Sequence, residues 1–206
     1  MNKFSLQKFN LSTIKNVSVL MIGHRASGKT FLTKKIINQN KTLDSNYVIF
    51  ENNYSRGSVY PSEYTDITQN ISNKFDSNKL IYLQDNTTLV CDNMLEFKDI
   101  LTDISVKHIY MNNRHINTCF IFTHQYPYNL NLVYRNNLDY IFLFNDPSNQ
   151  NKKKMYELYI IDIVTFDIFV EILESLNKYE CLVIDKINKN IKLYDQTQPI
   201  DQMLLR

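Results

Sequence analysis

Continuous apolar runs alternate with short amphipathic stretches along the whole of this chain. The runs are Val17–Gly23, Tyr47–Glu51, Thr88–Asp92, Thr118–Thr123, Tyr140–Phe144 and Cys181–Asp185, and few polar residues interrupt them. A strand that is apolar at consecutive positions is covered on both faces, the condition of a buried parallel sheet. Between the runs, Lys29–Asn38 places Phe31, Leu32, Ile36 and Ile37 on one helical stripe. Phe97, Ile100, Leu101 and Ile104 repeat at helical spacing after the third run, and Phe169, Ile172 and Leu176 do so within Phe166–Leu176. Alternating strands and helices predict an α/β fold with a mostly parallel central sheet flanked by helices. The tail adds Ile191–Tyr194 after Asn188-Lys189-Asn190, which predicts a C-terminal β-hairpin with the Cys181–Asp185 strand.

The longest irregular stretch, Asn52–Asp66, holds Arg56, Gly57 and Pro61. A loop of that length is either functional or partly disordered. At 206 residues the chain fits one domain, expected over 1–206 with its core at about 11–194. No apolar run approaches the length that spans a bilayer, and the first residues lack the apolar stretch of a signal peptide. An intracellular protein with no membrane partner is therefore expected. Cys91, Cys119 and Cys181 are far apart and sit in apolar runs, so they read as reduced core residues. A net charge of +2 neither demands nor excludes nucleic acid, because local charge decides the grip on phosphates.

Composition sharpens one feature. The chain has three glycines, and two of them are Gly23 and Gly28 in Gly23-His24-Arg25-Ala26-Ser27-Gly28-Lys29-Thr30. This G-x-x-x-x-G-K-T segment follows an apolar strand and opens a helix, the context in which such a loop binds nucleoside triphosphate phosphates. Its N–H groups would point inward at phosphate oxygens, and the helix adds the positive end of its dipole. Lys29 would bridge the β- and γ-phosphates of ATP, the Thr30 hydroxyl would hold Mg²⁺, and Phe31 completes the cradle. His24 is read as filler.

Leu89-Val90-Cys91-Asp92 is an apolar strand ending in an acid, and Asp92 is the second expected Mg²⁺ contact. Gln125, beyond Cys119–Thr123, is the candidate that senses the γ-phosphate or orients the attacking water; a turn glutamine is the alternative.

Arg114-His115-Ile116-Asn117-Thr118-Cys119-Phe120-Ile121-Phe122-Thr123-His124-Gln125 and Leu132–Tyr140 together resemble the viral DNA-packaging ATPases. The resemblance is to the poxvirus-like branch of large nucleocytoplasmic DNA viruses and virophages, within the FtsK/HerA superfamily. Phe166–Phe169 and Tyr179–Asp185 also resemble its closing helix and strand, so the likeness covers about Leu11 to Tyr194. It implies a RecA-like (ASCE) P-loop NTPase in which the Gln125 strand lies between those of the P-loop and Asp92. It further implies a homo-oligomeric ring that pumps double-stranded DNA into a capsid, docked on a capsid or vertex protein. The protein would then work in the viral factory of the host cytoplasm or in the virion. In such rings an arginine reaches a neighbour's γ-phosphate. Of five arginines, Arg114 matches the family position and Arg135 is second; a surface arginine in a salt bridge is the alternative for each.

The family usually follows its Walker B aspartate with a second acid, where this chain has Asn93. Glu51, ending the second strand, is the first candidate base and Glu96 the next; slow or absent hydrolysis is the third outcome. Lys152-Lys153-Lys154, the Asn52–Asp66 loop and Tyr126-Pro127-Tyr128 are candidate DNA contacts, although short basic runs are usually solvated. A nucleoside or nucleotide kinase would need an arginine-rich lid that five scattered arginines do not supply. A GTPase would need a glycine after Asp92-Asn93-Met94. A silent ATP-binding assembly protein stays open because of Asn93.

Overall fold

A computed structural model describes residues 6–40, 46–51, 60, 67–70, 86–93, 101–127 and 130–197. Its strands are β1 (Ser18–Ile22), β2 (Asn46–Glu51), β3 (Ile67–Asn70), β4 (Thr87–Cys91), β5 (Cys119–His124), β6 (Tyr140–Leu143), β7 (Glu180–Asp185) and β8 (Asn190–Asp195). The helices are α1 (Lys29–Asn40), α2 (Ile104–Asn112), α3 (Leu132–Asn136), α4 (Asn149–Tyr159) and α5 (Phe166–Ser175).

Among the described residues the strands form one sheet in the order β3-β2-β4-β5-β1-β6-β7-β8. The first six in that order run parallel. The β7–β8 hairpin closes the far side antiparallel. The expected placement of β5 between β1 and β4 is therefore observed. Because β8 reverses β7, its C-terminal end lies at the same edge of the sheet as the ends of β1, β4 and β5.

The unbroken apolar runs have the cause inferred from the sequence, since alternate residues feed two separate cores. On β1, Leu20 and Ile22 pack with Tyr110, Met155, Phe169 and Leu173 from α2, α4 and α5. Val19 and Met21 face the other way, toward Leu32, Ile36 and Ile37 of α1 and toward Phe9 and Ile14 of the N-terminal segment. Burying each such side chain contributes about 1.5–3 kcal/mol, so the central strands are held from both faces. The N-terminal segment is stitched to β8 by Phe9 N–H donating to Leu193 O at 2.8 Å.

The apolar stripe ending at Ile104 needs correction. Asp103 caps a new helix by accepting from the Ser105 and Val106 N–H groups, so Ile104 opens α2 and is 83% exposed. Val106, Ile109 and Tyr110 form the buried face instead. Phe97 and Ile100 lie outside the described residues, as does Glu96. No described helix is long and apolar enough to cross a membrane.

Candidate functional site

The loop after β1 is shaped by close contacts that exclude side chains. A Cβ at Gly23 would lie 2.6 Å from Phe144 Cβ and 2.7 Å from Ser27 Oγ. Gly28 has φ +108°, and a Cβ there would lie 2.7 Å from Gln196 Nε2. Ala26 also takes a positive φ of 63°, so the chain curls twice before α1 starts. Leu32 N–H then donates to Gly28 O at 2.9 Å, the first full turn of α1.

Lys29 is folded back over this curl. Its Nζ donates to Gly23 O at 2.5 Å and to His24 O at 2.9 Å, and the residue is buried. Burial lowers its pKa to about 8, opposed by the negative charges of Asp92 and Asp146. Ser27 Oγ is a third partner at 3.5 Å, and a buried ammonium met only by neutral oxygens is a ready partner for a phosphate anion. His24, Arg25 and Ala26 are exposed at the mouth, and Phe31 is 52% exposed on the first turn of α1.

Asp92 follows β4 directly and is buried among hydroxyls. Tyr60 Oη donates to Asp92 Oδ2 at 2.9 Å, Thr30 Oγ1 lies 3.5 Å from the same oxygen, and Thr123 Oγ1 donates to Oδ1. Thr123 in turn accepts from Asn93 N–H at 2.9 Å. A hydroxyl and a carboxylate facing one another beside a phosphate loop are the donor set of a Mg²⁺ that takes its remaining ligands from phosphate and water. The described residues hold no cluster of three or more His, Cys, Asp or Glu side chains, and such a site needs none. Thr30 and Asp92 thus fit the ion expected from the sequence.

Asn93 sits at φ 58°, in the left-handed region that asparagine tolerates and glutamate does not favour. Glu51 is the last residue of β2, one step past the Phe50–Cys91 pair, which puts its backbone level in register with Asp92, the residue after β4. Gln125 is half-buried just beyond β5, on the edge where the P-loop lies. Before it, His124 is 1% exposed and its carbonyl accepts from Gly23 N–H at 3.2 Å. Burial first, and then the charge of Lys29, lowers the imidazole pKa to about 4, keeping it neutral.

The two arginines do not join this cluster. Arg114 pairs with Asp139, whose other oxygen accepts from Ser18 N–H at 2.8 Å. Ser18 begins β1 whereas the P-loop follows its end, so Arg114 lies across the sheet from this chain's phosphate site. Arg135, on α3, has its carbonyl bonded to Lys186 Nζ at 2.7 Å, and Lys186 N–H donates to Asp139 O at the same far edge. Neither arginine lies at the edge of the sheet where this chain's own P-loop curls.

Lys152-Lys153-Lys154 is part of α4, not a loop. Lys152 is buried and pairs with Glu174 at 2.7 Å, so the run does not present three free cations. Tyr126 is 55% exposed at the phosphate edge; Tyr128 and all of Asn52–Asp66 except Tyr60 lie outside the described residues. Tyr60, Thr123 and Gln196 escaped the sequence reading. Thr123 alone left a trace, as a hydroxyl near the end of an otherwise apolar run.

No family model matches the chain. It is 27% identical to the uncharacterised protein L437 of Acanthamoeba polyphaga mimivirus, over 95% of this chain and 76% of that protein. The fold is similar to B204, the DNA-packaging ATPase of Sulfolobus turreted icosahedral virus, with a TM-score of 0.62 and 19% identity. That likeness covers 87% of this chain and 97% of B204. It is also similar to the ATPγS-bound conjugation coupling protein TcpA of pCW3, with a TM-score of 0.61, 13% identity and coverage of 88% and 60%. These likenesses show that the chain shares the fold of B204 and TcpA.

Proposed function

We propose that this chain is an ATPase that drives double-stranded viral DNA into a capsid. The observation that carries the chemistry is the convergence of Lys29, Thr30 and Asp92 at one mouth, with a buried ammonium and a hydroxyl facing a carboxylate. The DNA-packaging assignment draws on the fold shared with B204 over nearly the whole length of both chains.

In this reading the P-loop N–H groups and Lys29 hold the β- and γ-phosphates of ATP, and Thr30 and Asp92 hold Mg²⁺. The ion, when bound, neutralises charge that develops on the phosphate oxygens. Glu51 takes the proton from the attacking water, and Gln125 positions that water. Arg114, or Arg135 in its place, is supplied to a neighbouring subunit in a homo-oligomeric ring that encircles DNA and docks on a capsid or vertex protein. The site of action is the viral factory of the host cytoplasm or the virion.

A second reading, an ATP-binding assembly protein with little turnover, is favoured by Asn93, whose position lacks the family's second acid. One experiment separates the two: ATP turnover measured with and without duplex DNA across a range of protein concentrations. The motor reading expects turnover to rise with both DNA and concentration. Flat, near-zero turnover with tight ATP binding supports the assembly reading, and stimulation by a nucleoside instead of DNA indicates a kinase.

A further inference from the structure

The C-terminal hairpin ends against the P-loop. Gln196 follows β8 directly, and its backbone is fixed on both sides. Its N–H donates to Tyr179 O at 2.8 Å, and its carbonyl accepts from Lys35 Nζ on α1. The residue is 1% exposed, yet neither Oε1 nor Nε2 has a hydrogen-bond partner among the described residues. A buried carboxamide without partners is costly and rare, so its retention at this place requires a reason. The place is specific. The carboxamide presses on Gly28, the glycine before Lys29, with Nε2 and Oε1 at 2.7 and 3.0 Å from where a Cβ would stand.

Strand order then gives the direction of the ligand. Asp92 follows β4 on one side of β1, and β8 lies on the other, so Asp92 and Gln196 flank the P-loop from opposite sides. With the terminal phosphate and its ion at Asp92, the nucleoside end of the molecule points toward β8. Phe31 is there as well, exposed on the first turn of α1, with Lys35 Nζ 5.2 Å from its ring centroid. An exposed aromatic ring beside a buried, unpartnered donor–acceptor pair is the equipment for holding a heterocyclic base. The ring supplies a stacking face, and the amide supplies one donor and one acceptor.

We infer that Phe31 and Gln196 form an adenine-recognition subsite, with Phe31 stacking on the base and the Gln196 carboxamide, buried against Gly28, rotating about its side-chain torsions to pair with the base's edge. A carboxamide matches adenine bidentately, because the amino group donates and the adjacent ring nitrogen accepts. The corresponding edge of guanine offers two acceptors, which one carboxamide does not satisfy. The inference rests on the P-loop holding the phosphates, and it adds that the hairpin chooses the base.

The test measures dissociation constants of ATP, GTP and inorganic tripolyphosphate for the full chain and for Gln196→Ala, Gln196→Met and Phe31→Ala. Tripolyphosphate carries the phosphates without the base. Wild type is expected to prefer ATP over GTP. Gln196→Ala and Gln196→Met lose about tenfold in ATP affinity while GTP and tripolyphosphate stay within about twofold. Phe31→Ala, which removes a stacking face that serves either base, weakens ATP and GTP together and spares tripolyphosphate. Gln196→Met keeps the length of the side chain without its polar atoms, and a melting temperature equal to wild type certifies its fold. Equal loss for all three ligands makes Gln196 a strut of the loop and overturns the inference, as does unchanged ATP affinity. A wild-type protein that binds tripolyphosphate and does not distinguish ATP from GTP overturns the inference alone. One that binds none of the three overturns the P-loop assignment and the inference with it.

Discussion

The Thr123 hydroxyl donates to the Asp92 carboxylate, joining the ends of β5 and β4 at the edge where the P-loop curls. The same oxygen accepts from Asn93 N–H, so one side chain sets both the carboxylate and the turn that follows it. Groups that orient a metal-facing carboxylate typically change activity by 10–100-fold when removed. Thr123→Val is expected to lower ATP turnover within about that range while leaving ATP affinity within about threefold. Steady-state kinetics beside equilibrium binding checks this; an unchanged turnover number assigns the hydroxyl to turn geometry only.

Glu51 and Lys29 are expected to fail in different ways. Lys29→Ala removes the buried cation of the proposed phosphate site, so tight ATP binding is expected to be lost. Glu51→Gln keeps shape and hydrogen bonding but not basicity, so ATP binds and persists unhydrolysed. Binding followed by single-turnover hydrolysis separates the two, and full turnover by Glu51→Gln moves the base elsewhere.

Gly28 is constrained twice, by its φ of +108° and by the Gln196 carboxamide. Gly28→Ala is expected to destabilise the fold by about 1–3 kcal/mol and to abolish nucleotide binding. Adding Gln196→Ala removes the clash but not the backbone strain, so the double variant recovers part of the stability. Chemical denaturation of the four members of this cycle checks the sign. Full recovery would leave the backbone conformation without a cost of its own.

The route from sequence to this site is uneven for physical reasons. β1, β5 and the P-loop were legible because burial on both faces forces unbroken apolar runs, and because glycine is scarce enough to mark the loop. Asp92 was legible as an acid ending such a run. Gln196 was not, since its meeting with Gly28 is made by the β7–β8 hairpin folding back across two strands. Tyr60 was hidden likewise, in a stretch with no periodicity. The burial of Lys152 was not legible in its run because a helix turns successive residues 100° apart, which buries the first lysine while its neighbours point elsewhere. Arg114 was chosen by family position, and nothing local announced its pairing with Asp139.

That pairing makes a prediction of its own. Asp139 is buried and serves Ser18 N–H as well as Arg114, whose side chain is 62% exposed. Asp139→Ala is expected to cost about 1–3 kcal/mol by leaving a buried N–H without an acceptor, and Arg114→Ala less than about 1 kcal/mol. If Arg114 also serves a neighbour, mixing Arg114→Ala subunits into wild-type rings lowers turnover more steeply than their fraction. A proportional decline leaves Arg114 as half of a surface ion pair.

His124 gives the fold an acid limit. The unfolded chain carries an imidazole of ordinary pKa, 6.5, whereas burial beside β1, with the positive charge of Lys29 adding to it, lowers the folded value to about 4. Between these values the unfolded state binds a proton that the folded state refuses, so stability falls as pH falls. The contribution of this group is complete above pH 6.5 and is lost progressively down to about 4. At about 1.4 kcal/mol per pH unit the loss amounts to roughly 3 kcal/mol. His124→Gln removes the titrating ring, so whatever it does to stability at neutral pH, its denaturation midpoint is expected to change less between pH 7 and 4.5 than that of wild type. Parallel curves for the two proteins would mean that the imidazole is protonated without penalty in the fold, and that the apolar wall between β5 and β1 does not exclude charge.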